Sequence, residues 1–92
     1  MSAQLQLVAP AAETPAQRAK RLMAEAREAA DEQVFALETA MANVVQLAAD
    51  IASGGDAYPA GARDLARRLV EEIEGRSQTL DAIMHRTVAS RG

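Results

Sequence analysis

The chain contains no cysteine and no tryptophan, and it has a single histidine. Without cysteine it can form no disulfide, thiolate metal site or cysteine nucleophile, and one histidine cannot build a multi-histidine zinc site. Aromatic residues make up 2% of the sequence, namely Phe35 and Tyr58, which is too few to stack the bases of single-stranded nucleic acid. No P-loop, dinucleotide or nucleophile-elbow motif is present. We therefore expect no enzyme, no catalytic residue, no metal and no cofactor.

Charge and hydropathy also narrow the range of partners. The formal net charge of −3 at pH 7 disfavours nucleic acid and anionic membranes. No uninterrupted apolar run approaches the roughly 20 residues that span a bilayer, and the N-terminus lacks the basic region of a signal peptide. We expect a cytoplasmic protein with no membrane contact. The preference for alanine, and for arginine over lysine, suggests a bacterial genome.

A long first helix is predicted from about residue 15 to about residue 53. Thr14 can cap the first turn, Pro15 can occupy the first helical position without loss, and the Gln17 side chain can reach back to the Thr14 N–H. No glycine or proline follows until Gly54, and alanine, the strongest helix former, is abundant. Residues 1–13 are expected to form a flexible arm, separate from a helical domain at 14–92.

A second helix is predicted from about residue 59 to about residue 89. Gly75 costs about 1 kcal/mol in a helix interior relative to alanine. However, Ile73 and Leu80 are one heptad apart, so the apolar stripe keeps its phase across the weak point. We predict one continuous helix, with a break at Gly75 as the alternative.

The connection between the helices, Ser53–Gly61, reads SGGDAYPAG. A glycine-rich loop before a helix can bind phosphate, but Pro59 lacks an N–H donor, Asp56 repels anions, and no lysine follows. The composition favours a hairpin turn instead. In this turn, Gly54 or Gly55 adopts the left-handed conformation and Asp56 caps the second helix.

The predicted fold is therefore all-α, an antiparallel helical hairpin of two long helices. A turn near residue 56 places Ile51 beside Ala62 and Met41 beside Val70, so that the apolar stripes meet. One seam leaves a second apolar stripe of the first helix uncovered. We therefore predict a homodimer that forms a four-helix bundle, with a monomeric three-helix bundle folded back at Gly75 as the competitor. The residues predicted to form the core or dimer seam are Leu22, Val34, Leu37, Met41, Val44, Ile51, Leu65, Leu69, Ile73, Leu80 and Met84.

A basic patch, Arg63, Arg67 and Arg68, lies at the start of the second helix. These residues are candidate contacts for a partner or for phosphate groups. Carboxylates at helical spacing, such as Asp64 four residues before Arg68, pair with them locally. Nucleic acid is therefore a possible but disfavoured partner.

Two other polar features stand next to the apolar stripes. Asp81 and His85 are one turn apart and could act as an acid–base couple, but a solvated helix pair is the favoured interpretation. Arg76 interrupts the apolar seam. Either its aliphatic part packs against the seam while its guanidinium group reaches solvent, or it fixes the register of the two helices; we favour the former. The sequence as a whole predicts a small non-enzymatic protein–protein interaction or adaptor module with an unknown protein partner. A small nucleic-acid-associated regulator is the alternative.

Overall fold

A computed structural model describes residues 12–91 of the chain. Helix α1 spans Pro15–Ala52, a 3-10 turn spans Gly55–Ala57, and helix α2 spans Ala60–Arg91. The described residues are thus helical apart from short connections, and the two helices pack against each other, which confirms the predicted helical hairpin. The chain divides into two units, residues 1–34 and 35–92, and each is described by itself. Most of the predicted arm at 1–13 lies outside the described residues.

In the first unit, α1 begins with the reciprocal cap that the sequence predicts. The Thr14 backbone N–H donates to Gln17 Oε1 at 2.8 Å, and the Gln17 backbone N–H donates to Thr14 Oγ1 at 3.0 Å. Arg21 Nε donates to Glu13 at 2.9 Å, and its Nη1 donates to Glu25 at 3.1 Å. These hydrogen bonds to the two carboxylates raise the pKa of Arg21 above its usual value, and the bond to Glu13 has a larger effect than the bond to Glu25. The helix start is therefore fixed by the side chains around it.

Both glycines of the turn are required, for different reasons. Gly55 has φ +71°, the left-handed region that disfavours every residue with a Cβ. A Cβ on Gly54 would meet the Tyr58 ring, with Cδ2 at 2.6 Å, and the Asp50 carbonyl oxygen at 3.1 Å. The Tyr58 N–H donates to the Gly55 carbonyl at 3.1 Å and closes the turn. The prediction that a glycine here is left-handed is confirmed.

The start of α2 differs from the prediction at Asp56. Among residues 12–91, no backbone N–H donates to the Asp56 carboxylate, so the predicted cap is wrong. The reason is the 3-10 turn, which holds Asp56 in its middle instead of placing it at the helix start. The Asp56 carboxylate is fully exposed and lies 3.9 Å from Arg63. The first turn of α2 instead closes with the Arg63 N–H, which donates to the Pro59 carbonyl at 3.1 Å.

Helix α2 continues through Gly75 without a break, as predicted. The Thr79 hydroxyl donates to the Gly75 carbonyl at 3.1 Å. A Cβ at Gly75 would have no neighbouring atom within 4 Å. A larger residue could therefore replace Gly75 without a steric clash at this atom. The three-helix alternative, which needs a fold-back here, is not formed.

Within the second unit, the seam between the helices is built on small side chains. Ala48 and Ala66, at 5% and 4% exposure, are the buried residues of the part that the structure describes. The half-buried residues of this unit that follow the same spacing of three and four are Glu38, Met41, Val45 and Ala52 on α1, and Val70, Ile73, Ser77, Leu80, Met84 and Thr87 on α2. The seam therefore contains polar positions, at Glu38 and Ser77, as well as apolar ones.

On α1 this seam departs from the predicted stripe at two positions, while Met41 and Ala48 lie in the seam as the sequence predicts. Leu37 and Val44 are 52% and 41% exposed, while Glu38 and Val45, their neighbours, are half-buried. At these two positions the following residue, about 100° further around the helix, takes the place in the seam, and Leu37 and Val44 lie on its flank. The hairpin consequently carries leucines on its surface that a closed core would contain.

Candidate functional site

An apolar concavity of the second unit lies near the turn, between α1 and α2. Its volume is about 330 Å³. The residues that line it are Val44, Leu47, Ala48, Ile51, Ala62, Leu65, Ala66 and Leu69. None of these side chains is charged or polar. Ile51 and Ala62 share this groove, as the predicted register requires.

Heptad spacing explains why these residues lie together. Val44 and Ile51 are seven residues apart on α1, and Ala62 and Leu69 are seven apart on α2. Residues seven apart lie on one side of a helix, and Leu47 and Leu65 fill the positions between them. We call this set the apolar face: Val44, Leu47, Ile51, Ala62, Leu65 and Leu69. It is continuous across both helices because the seam beneath it consists of alanines.

Leucines of the apolar face are exposed to an extent unusual for such a cluster. Leu47 is 65% exposed, Leu65 57% and Leu69 38%. Leu37, one heptad before Val44, is 52% exposed and extends the same strip of α1. Scattered exposed leucines need no explanation, but a contiguous apolar patch marks a binding surface.

The opposite flank of the same seam has a different chemistry. A groove of about 410 Å³ is lined by Glu38, Met41, Ala42, Val45, Glu74, Ser77, Gln78 and Asp81. We call it the acidic groove, because three carboxylates and no lysine or arginine line it. Like charges that share a groove disfavour its closure against an identical groove.

Asp81 and His85 form a surface pair. The His85 Nδ1 lies 2.9 Å from the Asp81 carbonyl oxygen, which makes Nδ1 the donor in this contact, and 3.6 Å from Asp81 Oδ2. The two side chains are 78% and 63% exposed. Both residues line a concavity of about 380 Å³ together with Glu38 and Met84, and their exposure is that of a solvated helix pair. Within residues 12–91, no group of three His, Cys, Asp or Glu side chains is arranged to hold a metal ion.

Local partners occupy the three arginines of the basic patch. Arg67 lies 3.5 Å from Asp64, and Arg68 pairs with the same carboxylate. Arg63 donates from Nε to the Tyr58 carbonyl at 3.2 Å and is also the partner of Asp56. The patch is therefore partly neutralised where it lies, and Arg63 serves the turn.

The residues predicted for the core or dimer seam differ in burial. In the second unit, the predicted residues that are half-buried between the helices are Met41, Ile73, Leu80 and Met84. Those that are exposed beside the seam are Leu37, Val44, Leu65 and Leu69. Ile51 is half-buried in the apolar groove. In the first unit, Val34 is half-buried and Leu22 is 51% exposed. Sequence reasoning missed the polar seam position Glu38, because hydrophobicity alone selects its neighbour Leu37.

One part of α1 is long and apolar enough to cross a membrane by length and composition, with a mean hydropathy of 1.3 and 6% of it buried. This part contains scattered polar residues, which is why a search for uninterrupted apolar runs does not find it. Core helices of soluble proteins, which are mostly buried, and signal sequences near the N-terminus share this composition. The cytoplasmic location and the absence of membrane contact stay predictions.

Comparison with protein-family models, with curated proteins and with solved structures finds no match for this chain. The surfaces of the hairpin itself are therefore the basis for inferring function.

Proposed function

We propose that this protein is a non-enzymatic interaction module that works as a homodimer, with two hairpins associated into a four-helix bundle. The observation that carries the proposal is the contrast between the core and the surface of the hairpin. Among the described residues, the buried side chains are two alanines and none is fully buried, whereas leucines on the apolar face stay in water. Association is the way for such a chain to bury its larger side chains.

The energetics favour this interpretation. Burying a leucine or valine side chain contributes about 1.5–3 kcal/mol, and chains of about this length are marginally stable even with an ordinary core. Leu47 and Leu65 are each more than half exposed, so much of their contribution is unused in a single hairpin. A partner that covers the apolar face supplies it.

The proposal includes a further protein partner, since a homodimer by itself transmits nothing. The apolar face serves assembly, and the acidic groove lies on the other flank of the seam, where it stays accessible in a dimer. An adaptor role for the assembled bundle follows from this separation of the two surfaces.

Sedimentation equilibrium and thermal unfolding over a range of protein concentrations test the homodimer. We expect a dimer at micromolar concentration and a Tm that rises with concentration, because association stabilises the folded state by mass action. A monomer at tens of micromolar, with a Tm independent of concentration, would exclude the proposal.

The alternative function, a nucleic-acid-associated regulator, has less support because Arg67 and Arg68 share the Asp64 carboxylate. It makes a distinct prediction for binding to duplex DNA. Retention that falls with salt and disappears when Arg63, Arg67 and Arg68 are replaced by alanine would favour it. We expect no such retention at physiological salt.

A further inference from the structure

We propose that the apolar face packs on the same face of a second copy of this chain, in an antiparallel arrangement. The two-fold axis lies between the copies, crosses the helices at right angles and passes at the level of Leu47. This inference rests on the proposed homodimer and adds which surfaces meet, in which orientation, and which charges lie at the edges.

A second copy fits this face better than an occasional partner does. A hairpin whose buried side chains are Ala48 and Ala66 among the described residues needs its face covered whenever it is folded. Another copy is present wherever the chain is made. From Leu37 to Ile51 the strip is roughly 21 Å long, and two helices are about 20 Å wide. Because side chains roughen this surface, a two-fold contact approaches the roughly 1,000 Å² in total that specific interfaces bury.

The apolar face is self-complementary about the level of Leu47. The axis places Leu47 against Leu47 of the partner subunit. Leu65 and Leu69 lie at similar distances on either side of this level, as do Val44 and Ile51, so each meets its counterpart from the other copy. Val44, Leu47, Ile51, Leu65 and Leu69 then each contact an apolar side chain, as a self-complementary isologous interface requires.

The charges at the two ends of the face complement each other in this orientation. At the turn end, Asp56 is fully exposed with Arg63 3.9 Å away. At the other end, Arg76 is 72% exposed with Glu72 3.4 Å away. Arg76 is nine residues beyond the midpoint of Leu65 and Leu69, roughly 14 Å from the axis level at 1.5 Å per residue, and Asp56 lies in the turn at the opposite end. The antiparallel axis therefore brings Asp56 next to Arg76 of the partner subunit, twice by symmetry.

The alternative two-fold arrangement, with both turns at the same end, loses this complementarity. The axis then runs along the helices and stacks α1 of one copy on α2 of the other. Arg76 would face the apolar Leu37 of the partner subunit, and the acidic turns would lie together. Charge placement of this kind selects orientation more than it adds affinity.

A charge exchange between the two ends tests the arrangement. In Asp56→Arg, both ends of a homodimer bring two cations together, and in Arg76→Asp both ends bring two carboxylates together. We expect each variant alone to dimerise roughly tenfold more weakly than the natural chain, as expected for close like charges at an interface rim. An equimolar mixture restores opposite charges at both ends, so we expect a heterodimer that forms with the natural affinity.

The readout is sedimentation equilibrium of each variant and of the mixture at low salt, with circular dichroism to confirm that each is helical. A natural chain that dimerises, together with a mixture that is no tighter than the separate variants, would overturn the antiparallel arrangement and leave the homodimer standing. A natural chain that stays monomeric would remove both proposals. The two failures are thus distinguishable.

Disulfide cross-linking gives an independent measurement, because the chain has no cysteine of its own. Leu47→Cys lies on the axis, so we expect two copies to cross-link under mild oxidation. Asp56→Cys places its thiols on opposite ends of the dimer and should not cross-link with itself. Efficient self-linking of Asp56→Cys, or of a Gln78→Cys variant in the acidic groove, would contradict the arrangement.

Discussion

The two flanks of the hairpin seam come from the same two helices but carry opposite chemistry. The flank near the turn is the apolar face, where no polar side chain lines the groove. The other flank is the acidic groove, where Glu38, Glu74 and Asp81 line one concavity. Both grooves have similar volumes, about 330 and 410 Å³, so shape does not distinguish them. Their side chains do.

This difference shows how a two-helix hairpin can direct its own assembly. Two apolar faces can close on each other, whereas two acidic grooves repel each other. The repulsion acts against the wrong association as much as burial acts for the right one. We therefore expect the two flanks, rather than the narrow seam between them, to determine what the molecule binds.

The largest effect should come from placing a charge on the apolar face. Leu47→Glu introduces a carboxylate on the proposed axis, where each dimer would bury two of them at close range. Because burying an unpaired charge costs several kcal/mol, we expect the dimer dissociation constant to rise at least about 100-fold, or about 3 kcal/mol. Sedimentation equilibrium measures this change.

Phe35→Glu is the matched control for that experiment. Phe35 is also a large apolar residue of α1, is 69% exposed, and lies outside the apolar face. We expect its dimer dissociation constant to stay within about threefold of the natural value, as for a surface substitution. Equal effects of the two variants would mean that the flanks do not differ in the way described.

The parts of the fold that depend on local chemistry follow from the sequence. The Thr14–Gln17 cap, the left-handed glycine of the turn and the unbroken second helix all depend on residues close in the chain. The exchange of Leu37 for Glu38 in the seam does not depend on such local chemistry. Leu37 and Glu38 are neighbours, and a hydrophobic pattern assigns the leucine to the interior although the structure turns the glutamate inward.

The candidate site, too, could be predicted from the sequence only in part. Sequence patterns identify Val44, Leu65 and Leu69 as apolar residues at helical spacing. They cannot separate side chains that pack within the hairpin from those that stay on its surface, because both sets recur every three or four residues. The close approach of Ala48 and Ala66 makes that separation, since it sets which side chains fit inside.

The turn is expected to give the next largest effect, since it sets which residues fall on each flank. Gly54→Ala places a Cβ against the Tyr58 ring and should lower the free energy of unfolding by about 1–3 kcal/mol, as overpacking does.

Gly75→Ala is the matched control, because open space surrounds that position. We expect it to stabilise the protein by about 0.5–1 kcal/mol. Urea unfolding of both variants measures the difference. A Gly54→Ala protein as stable as the Gly75→Ala protein would show that the turn does not constrain the hairpin.

The smallest expected effect concerns Glu38, which links the seam to the acidic groove. Glu38 is half-buried, and within residues 12–91 no hydrogen bond or ion pair reaches its carboxylate. Burying a carboxylate without a partner opposes folding. We therefore expect Glu38→Leu to stabilise the hairpin by about 1 kcal/mol, which raises Tm by about 4–8 °C for a domain of this size.

Glu74→Leu is the control, because Glu74 lines the same groove but is exposed, and we expect no gain in Tm from it. If the two variants gain equally, repulsion within the acidic groove explains the effect. A gain confined to Glu38→Leu places the cost in the seam, where a charge occupies a position that the apolar pattern assigns to its neighbour.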